Sequence, residues 1–530
     1  MNSILLALTS GIFFPLALPN ELLMFGSPVL GIVALSPLYA AFVLAGERRL
    51  AVYAGIVFGA VSTAVGNFWL ANFGDFSVWT LGAPIAGYIA YNWLLAIALY
   101  NLKHLHPHLR PLMFAAVWTG YEFLKSVGYL GYPWGLAAYP FANVAFMTQI
   151  ADITGVYGLT FLAVYVQSVV AELALCFSRR HESAYHLRPA VVRTFRQLTA
   201  HGALILLLTT ATALYGIVRL SDARVSGRRI RVALVQQNSD SWAFGNEEET
   251  LETLIRLSRT ALADASPDLL IWSETSLRLP YENYADTWYE RVPSGTSFRD
   301  FLRDSPVPLL TGSPYLPADR DGVAWNAALM LQPDGAISDV YGKRQLVPFA
   351  ESVPFWEWGL VRRFYRDVIG IQAVWEPGDR VTVFEVPTNT GPVYASAPIC
   401  FEDAFAGVVR DFHRAGAEVL LNLTNNAWSR TDSAQTQHFT AARFRSIETR
   451  LPLVRSTNAG LTSIVDRHGR LQTSLPMFEE GVLVADVDIL TDQRLTVYST
   501  VGDVFALSML MIGLFGIVII RVPATPNTLF

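Results

Sequence analysis

Charged residues and cysteines are both scarce in this sequence. Asp, Glu, Lys and Arg make up only 16% of its 530 residues, whereas a soluble globular protein usually carries roughly 25%. The net charge of −5 provides no basic surface of the kind that binds nucleic acid, so we expect no nucleic-acid partner. The shortage of charge is greatest in residues 1–220 and 501–530. This distribution indicates a membrane protein that carries a large polar insert.

The only cysteines in the sequence are Cys176 and Cys400. Cys176 lies at the end of an apolar segment, just before Arg179 and Arg180, and nothing in the sequence connects it with Cys400. We therefore predict that no disulfide forms and that Cys400 is a free thiol, even in an oxidising compartment.

Long apolar runs are abundant and predict a multi-pass α-helical membrane domain. Seven apolar segments precede residue 220 and an eighth closes the chain, which predicts eight transmembrane helices. The segments are 4–18, 28–44, 50–70, 85–102, 112–124, 154–177, 203–217 and 504–520. Several are shorter than the roughly 20 residues that cross a bilayer upright. We thus expect a seven-helix domain at 1–220, a polar domain at 229–490 and a last membrane helix at 501–521.

The basic residues of the short loops predict the orientation of these helices. Alternate loops hold Arg48 and Arg49, then Lys103 and Arg110, then a cluster of arginines at 179–196. Loops rich in Lys and Arg stay in the cytoplasm. Both termini are therefore predicted to be cytoplasmic. The domain at 229–490 is predicted to lie outside the cytoplasmic membrane, which in a Gram-negative cell is the periplasm.

The polar insert has the pattern of an α/β domain. Strand patterns at 230–236, 268–272, 327–331, 337–341, 418–423 and 453–457 interleave with helical patterns at 247–263 and 436–448. Hairpins are predicted around 332–335 and 467–469, and a last strand at 482–487. About 260 residues suffice for one domain with a substantial core.

Cys400 follows a buried strand pattern at 393–397 and precedes a helical pattern that begins at Asp403. Such a corner holds a side chain in a strained, exposed position, and the start of the helix favours a thiolate. We therefore expect Cys400 to be a nucleophile. A buried structural cysteine is the commoner alternative.

A thiol that transfers acyl groups needs a base and a cation to stabilise the oxyanion. The histidines of the insert, His413, His438 and His468, lie at no evident strand end. Glu274 directly follows an apolar strand and Lys343 follows the hairpin strand. Either residue alone is an ordinary feature of a sheet edge, but a carboxylate, an ammonium group and a thiol together form a plausible catalytic set.

Three sequence blocks around these residues resemble the Glu–Lys–Cys triad of the nitrilase superfamily. They are 272–275 (WSET), 341–349 (YGKRQLVPF) and 398–402 (PICFE), in that order. Within the superfamily, the chain resembles the bacterial apolipoprotein N-acyltransferases. The specific matches are 346–354 (LVPFAESVP), 425–428 (NNAW), 437–439 (QHF) and 452–460 (PLVRSTNAG).

The resemblance implies an αββα sandwich with Glu274 as general base, Lys343 as oxyanion stabiliser and Cys400 as nucleophile. It also implies three supporting residues: Glu351 as a second carboxylate, Phe401 as a backbone N–H donor, and Glu402. The implied reaction moves a fatty acyl chain from a membrane phospholipid, through a cysteine thioester, to the α-amine of a diacylglyceryl apolipoprotein. The resemblance implies no cofactor and no metal, and nothing in the sequence requires more than a monomer.

This chain departs mildly from the pattern of the family at three positions. Phe401 stands where tyrosine is often found, Ser273 where proline is frequent, and Ala350 where glycine is frequent. The first change can alter one hydrogen bond, but none of the three changes the triad.

Several aromatic and amide residues are candidates for lipid or substrate binding. The stretch 354–375 is rich in aromatic side chains and is apolar enough to dip into a bilayer as a lid. We expect Trp356 and Trp358 to contact lipid there. Asn425 and Trp428 belong to one of the family motifs, and they are candidates for substrate contacts.

The first 220 residues contain two further features of interest. Trp134 lies in an aromatic loop at 131–135 that fits either an interfacial belt or the rim of a lipid entrance. Glu122 and Lys125 can share one helix face, where they are predicted to form an interfacial ion pair rather than a functional site.

Two other functions compete with acyl transfer. A membrane-anchored amidase or nitrilase that hydrolyses small C–N substrates could carry the same triad, but it needs no eight-helix anchor. A non-catalytic binding platform is disfavoured by the intact Glu, Lys and Cys set.

Overall fold

The computed structural model describes residues 2–73, 77–182, 188–222, 226–240, 245–318, 320, 322–370, 373–490 and 494–521. The chain forms two compact units. One consists of Met1–Val127, Gly131–Ser221 and Val501–Phe530, and the other consists of Gly128–Leu130 and Asp222–Thr500. We call them the helical unit and the α/β unit.

The helical unit contains α-helices joined by short turns. They are α1 (Asn2–Ala17), α2 (Pro28–Gly31), α3 (Ser36–Leu44), α4 (Arg48–Gly66), α5 (Ser77–Leu99), α6 (Arg110–Ser126), α7 (Ala145–Thr148), α8 (Ala151–Thr154), α9 (Val156–Glu182), α10 (Arg188–Leu220) and, at the end of the chain, α19 (Val504–Arg521). Cys176 is buried on α9 and, like Cys400, is free, as predicted.

Within the described residues, four helical segments are long and apolar enough to cross a membrane: Arg48–Gly66, Val78–His104, Val156–Ser178 and Thr199–Leu220. Asn2–Ala17, Pro28–Leu44 and Val504–Ile517 are apolar but shorter. The structure therefore supports four such segments by length and composition, rather than the eight that the sequence predicts. A helix of 16 residues spans about 24 Å at 1.5 Å per residue, which is less than the ~30 Å of a hydrocarbon core.

Helix α6 is a less apolar element of the helical unit because it carries buried polar residues. Glu122 accepts hydrogen bonds from Trp118 Nε1 at 2.9 Å, from the Ala137 backbone N–H at 2.9 Å and from Thr160 Oγ1 at 2.9 Å. Lys125 Nζ instead donates to the carbonyl of Trp134 at 2.8 Å. The predicted ion pair between Glu122 and Lys125 is wrong, because the carboxylate and the ammonium group form hydrogen bonds with different partners.

The α/β unit alternates strands with helices. Its strands are β1 (Ser226–Gln236), β2 (Leu269–Ile271), β3 (Leu309–Tyr315), β4 (Trp325–Leu331), β5 (Ile337–Gly342), β6 (Phe384–Val386), β7 (Val393–Ser396), β8 (Val419–Thr424), β9 (Leu453–Thr457), β10 (Ser463–Val465), β11 (Leu471–Ser474) and β12 (Gly481–Leu490). Its helices are α11 (Glu247–Ala265), α12 (Tyr281–Tyr284), α13 (Trp288–Arg291), α14 (Pro293–Asp304), α15 (Gly359–Phe364), α16 (Ala406–Arg414), α17 (Asp432–Thr449) and α18 (Val497–Val501).

These strands form two mixed sheets of six strands each. The first has the order β12-β1-β2-β3-β4-β5 and the second the order β11-β10-β9-β8-β7-β6. Strands β1, β2 and β3 are parallel to one another, as are β7, β8 and β9, and the outer strands are antiparallel. Because parallel strands end at the same edge of a sheet, the loops after them gather there.

Strand β1 shows how the sequence builds the layers of the sandwich. Its residues alternate between faces, as the period of a strand requires. Ile230, Val232 and Leu234 join the large core that contains residues of both sheets. Ala233 and Val235 join the second core, which includes buried residues of α11 and α14. The predicted two-sheet α/β sandwich is confirmed.

The structure also contains elements that the sequence pattern did not indicate, notably α14, β3 and β6. Strand β3 contains Gly312 and Pro314, which are turn residues by composition. It nevertheless pairs antiparallel with β4 along its whole length, and its first two residues pair parallel with β2. Tertiary pairing therefore overrides the local signal at this position.

Candidate active site

The candidate site lies at the carboxyl ends of several strands. Glu274 follows β2, Lys343 directly follows β5, and Asn425 directly follows β8. The backbone N–H of Asn425 donates a hydrogen bond to Glu274 Oε2 at 2.9 Å, which ties the two sheets together at this edge. Glu274 and Lys343 are both buried.

Two carboxylates share one ammonium group in this site. Lys343 Nζ lies 2.8 Å from Glu351 Oε1 and 3.4 Å from Glu274 Oε1. The side-chain amide of Asn326 donates to both carboxylates, at 2.9 Å to Glu274 Oε1 and 3.1 Å to Glu351 Oε1. The Val347 backbone N–H donates to Glu351 Oε2 at 2.8 Å. These bonds fix both carboxylates around the lysine.

The charge of Lys343 is set by competition between burial and its neighbours. Burial lowers its pKa, but the charges of Glu351 and Glu274 raise it by more, so the pKa lies above its ordinary value. The side chain is therefore a permanent cation at neutral pH. A buried cation held by two carboxylates is suited to stabilising a developing oxyanion.

Cys400 begins a short 3₁₀ turn, Cys400–Ala404, in the loop after β7. Its φ of 50° lies in the left-handed region, which non-glycine residues rarely adopt. The predicted backbone strain at this corner is confirmed. Its side chain is half-buried, with the sulfur 3.9 Å from Asn426 Oδ1.

The expected thiolate is wrong, because the pKa of Cys400 is raised above its ordinary value. Burial and then the charge of Glu274 raise the pKa of Cys400 to about 12, although the charge of Lys343 lowers it. The long helix that was expected to stabilise a thiolate, α16, begins only at Ala406. Cys400 therefore lies on a separate short turn and not at the N-terminus of this helix. The resting side chain is a thiol.

Glu402 connects the cysteine turn to the lysine strand. Its carboxylate is buried and accepts four hydrogen bonds: from the backbone N–H groups of Ile399, Arg344 and Gln345 at 2.8, 2.8 and 2.9 Å, and from Tyr341 Oη at 2.8 Å. It therefore holds the residues next to Cys400 and Lys343 in fixed register and has no free oxygen to offer a substrate.

The remaining predicted site residues occupy different surroundings. The Phe401 ring packs edge-on against Phe405 with centroids 4.8 Å apart. Trp428 is half-buried in the short turn Ala427–Ser429 that follows β8. Trp134 belongs to the helical unit, where it is buried and stacks on Tyr132 at 5.4 Å.

The predicted lid segment exposes large apolar side chains together with charged ones, such as Arg362 and Arg363. Trp358 is 58% exposed and its ring lies 4.7 Å from that of Phe355, which is 56% exposed. Trp356 is half-buried. Exposed Leu360 and Phe364 continue the apolar surface along α15. A patch of this kind in one loop is typical of a surface that meets lipid or another apolar partner.

Comparison with known proteins identifies the family. The carbon-nitrogen hydrolase family model matches residues 231–494, and the model of the apolipoprotein N-acyltransferase N-terminal domain matches residues 10–169. A protein of Treponema denticola named apolipoprotein N-acyltransferase 2 is 37% identical over 96% of this chain and 95% of its own length. The chain belongs to the apolipoprotein N-acyltransferase family.

A second relative agrees with this assignment. The apolipoprotein N-acyltransferase of Borreliella burgdorferi is 30% identical over 96% of this chain and 94% of its own length. A solved carbon-nitrogen hydrolase from Helicobacter pylori G27 is similar to 49% of this chain and 89% of that one, with 18% identity and a TM-score of 0.36. The α/β unit of this apolipoprotein N-acyltransferase family member has a nitrilase-like carbon-nitrogen hydrolase fold.

Sequence reasoning missed several buried polar residues in this apolipoprotein N-acyltransferase family member. Asn326 lies on the otherwise apolar strand β4 and holds both carboxylates. Asp403, His438 and Arg455 are buried, and the carboxylate of Asp403, in the cysteine turn, contacts both of the other side chains. A polar residue within an apolar strand was the signal for Asn326 and for Arg455. Among the described residues, no group of three or more His, Cys, Asp or Glu side chains is arranged to hold a metal ion.

Proposed function

We propose that this chain transfers a fatty acyl chain from a membrane phospholipid to the α-amine of the N-terminal diacylglyceryl-cysteine of apolipoproteins, the last step of lipoprotein maturation. One observation carries the proposal. In a chain of this family, a thiol lies within electrostatic reach of a carboxylate and a buried ammonium group, Glu274 and Lys343.

In the first half-reaction, Cys400 Sγ attacks the carbonyl carbon of a phospholipid ester. Glu274 accepts the thiol proton as the carbon–sulfur bond forms. Lys343 Nζ and the Phe401 backbone N–H stabilise the oxyanion. The carbon–oxygen bond then breaks, Glu274 returns the proton to the leaving oxygen, and a lysophospholipid departs from the acyl-cysteine thioester.

In the second half-reaction, the α-amine of the diacylglyceryl-cysteine attacks the thioester carbonyl. Glu274 takes a proton from the amine nitrogen, the carbon–sulfur bond breaks, and the sulfur leaves as a thiol after proton return. The product is an amide. Since the first product, the lysophospholipid, leaves before the second substrate binds, the kinetics are ping-pong.

The resting thiol fits this scheme. Because the pKa of Cys400 is raised to about 12, the sulfur holds its proton until an ester lies against it. Proton transfer to Glu274 then accompanies bond formation instead of preceding it. Lys343 keeps its charge throughout, so the oxyanion forms against an existing cation.

The membrane topology is part of the same proposal. We infer eight membrane helices, seven within residues 1–220 and one within 501–521. In this arrangement a monomer has cytoplasmic termini, and its catalytic domain at 229–490 lies on the periplasmic side of the inner membrane. Four segments are long and apolar enough to support this. Tethering the domain to the membrane that holds both lipid substrates converts a search in solution into a local encounter.

Trapping the acyl-enzyme tests the chemistry. The protein is incubated with a phospholipid that carries a labelled acyl chain, and the labelled chain is isolated with and without hydroxylamine. We expect a hydroxylamine-sensitive thioester in wild type and in Cys176→Ala, and none in Cys400→Ala. Adding a diacylated lipopeptide should move the label onto the peptide amine.

Two other results would overturn the proposal. Turnover of small amides with no modification of the lipopeptide would indicate a membrane-anchored amidase. A thioester that persists in Cys400→Ala would place the nucleophile elsewhere.

A further inference from the structure

A buried chain of polar side chains, which contains neither Glu274 nor Lys343, leads away from the Cys400 sulfur. Asn426 Oδ1 lies 3.9 Å from Cys400 Sγ, and Asn426 Nδ2 lies 2.8 Å from His438 Nδ1. His438 Nε2 lies 2.7 Å from Asp403 Oδ1. Asn426, His438 and Asp403 are all at least 94% buried, at 6%, 3% and 0% exposure.

The far end of this chain is held by a guanidinium. Arg455 Nε lies 3.2 Å from Asp403 Oδ2 and donates to Asn422 Oδ1 at 3.3 Å. Asn422 Nδ2 in turn donates to the Cys400 carbonyl at 3.2 Å. Arg455 therefore fixes both the carboxylate of Asp403 and the backbone of Cys400.

The hydrogen bonds of this chain have one consistent direction. Asp403 is an acceptor, so His438 Nε2 carries the proton and donates to it. The other ring nitrogen, Nδ1, is then an acceptor and takes a hydrogen from the Asn426 amide nitrogen. This leaves the Asn426 oxygen, and not its NH₂ group, facing the sulfur. An imidazolium would donate from both nitrogens and would turn the amide round.

We propose that Asp403 and His438 are positioning residues that set the polarity of the Asn426 amide, so that a hydrogen-bond acceptor faces the Cys400 sulfur. The acceptor receives the thiol hydrogen and opposes a free thiolate. The cysteine is thereby kept as a thiol until an ester arrives and Glu274 takes the proton. The inference depends on Cys400 being the nucleophile of the proposed function, but it can be tested without lipid.

Asp403→Asn should reverse the direction of every bond in the chain. Arg455 requires an oxygen, so the new amide turns its NH₂ group towards His438. His438 Nε2 must then accept, its proton moves to Nδ1, and Asn426 turns its oxygen towards the ring. The Asn426 NH₂ group would face the sulfur and donate to a thiolate.

The readout is the pH dependence of Cys400 alkylation by iodoacetamide, measured on the full chain in a Cys176→Ser background. A new donor to the thiolate should lower the pH midpoint by about one unit. Removing the Asp403 charge also lowers the midpoint directly, so Asp403→Asn is repeated in an Asn426→Ala background. We expect a clearly smaller shift there, since no amide remains to turn. Glu274, Lys343 and Glu351, the charged groups that act on the thiol, are the same in all four proteins.

His438→Gln and His438→Leu form an independent pair. Glutamine can donate to Asp403 and accept from Asn426, so it preserves the polarity and should keep the wild-type midpoint. Leucine should change the midpoint. Nitrogen-15 spectra of labelled histidine should show His438 protonated at Nε2, identified by the signal lost in His438→Gln. Three results would each overturn the inference. The first is an equal shift of the midpoint by Asp403→Asn in both backgrounds. The others are equal midpoints for the two His438 variants and a proton on Nδ1 of His438.

The acyl-transfer proposal has a separate outcome. Loss of the thioester in wild type would reject that function while leaving the alkylation results intact. A normal thioester with unmoved midpoints would reject only the positioning role of Asp403 and His438.

Discussion

At the scale of single residues, the site depends on how charges are compensated. Lys343 is almost fully buried, and a buried cation is stable only when it is paired and hydrogen-bonded. Glu351 lies at 2.8 Å and Glu274 at 3.4 Å from its Nζ. The shorter contact makes Glu351 the principal ion-pair partner of the lysine, which fits the proposed role of Glu274 as the group that exchanges a proton with the sulfur.

The reactivity of the thiol should report these charges. The charge of Glu274 raises the pKa of Cys400 more than that of Glu351 does. In a Cys176→Ser background, Glu274→Gln should therefore lower the pH midpoint of alkylation by about one unit, and Glu351→Gln should lower it by less. A larger shift in Glu351→Gln would show that the second carboxylate is the one that controls the sulfur.

Asn326 should affect the rate of lysophospholipid release because it positions the carboxylates of Glu274 and Glu351. Asn326→Ala removes the amide that donates to both Glu274 and Glu351. We expect the rate of lysophospholipid release to fall roughly 100-fold, the effect of a small misplacement of a catalytic group. Gln332→Ala, which lies just beyond the other end of β4 and bonds Ser338, is the matched control. Equal rates in the two variants would remove Asn326 from the site.

At the scale of elements, close packing between strand β3 and the loop after β2 fixes the position of Glu274, the proposed base. A Cβ built on Gly312 of β3 would lie 2.7 Å from Glu274 Cα and 2.4 Å from the Thr275 nitrogen. Only glycine at this position lets the loop after β2 lie directly on β3. The glycine therefore positions Glu274 from the neighbouring strand.

Gly312→Ala should displace Glu274. We expect a loss of about 1–3 kcal/mol in stability and a large fall in thioester formation. Gly407→Ala, in α16, has no neighbouring atom within 4 Å and should retain both stability and rate. Unfolding temperature and single-turnover acylation measure the two effects. Full activity in Gly312→Ala would mean that the loop accommodates the methyl group without moving the carboxylate.

The lid segment should affect the binding of phospholipid and not the rate of the acyl-transfer steps. Trp358→Ser removes an exposed indole beside Phe355, and we expect the KM for phospholipid vesicles to rise roughly tenfold from the lost apolar contact. Trp356→Ser should act in the same direction. Leu471→Ser, on the edge strand β11 and 38% exposed, is the control. Unchanged kinetics in both tryptophan variants would remove this segment from lipid binding.

The elements that the sequence predicts correctly are those whose local residue pattern agrees with the structure that they form in the folded protein. Alternation in β1, the hairpin of β4 and β5, and the strand before Cys400 are all local signals, and the structure contains each of them. Strand β3 could not be found in this way, because its glycine and proline are justified only by the neighbours that it packs against. The prediction of a thiolate at Cys400 was wrong for a similar reason. It depends on burial and on Glu274, which is distant in sequence.

At the scale of the whole molecule, distribution of charge is the main guide to topology. Arg48 and Arg49 begin α4, whereas the α/β unit carries Glu282 and many other acidic residues on exposed positions. Loops rich in Lys and Arg resist translocation, while long domains cross largely regardless of their charge. If the chain crosses the membrane an even number of times between its N-terminal residues and the α/β unit, the two lie on the same side. If it crosses an odd number of times, they lie on opposite sides.

Cysteine labelling in intact cells should decide between these topologies. In a cysteine-free background, Glu282→Cys of the α/β unit and Glu47→Cys, before α4, each place one thiol at an exposed position. With the topology proposed above, a membrane-impermeant maleimide that passes the outer membrane should label position 282 in intact cells. Position 47 should be labelled only after the inner membrane is broken, because the basic residues next to it remain in the cytoplasm. Labelling of both positions in intact cells would require a different number of crossings between them. It would also place the loop of Arg48 and Arg49 on the same side of the membrane as Cys400, the proposed nucleophile.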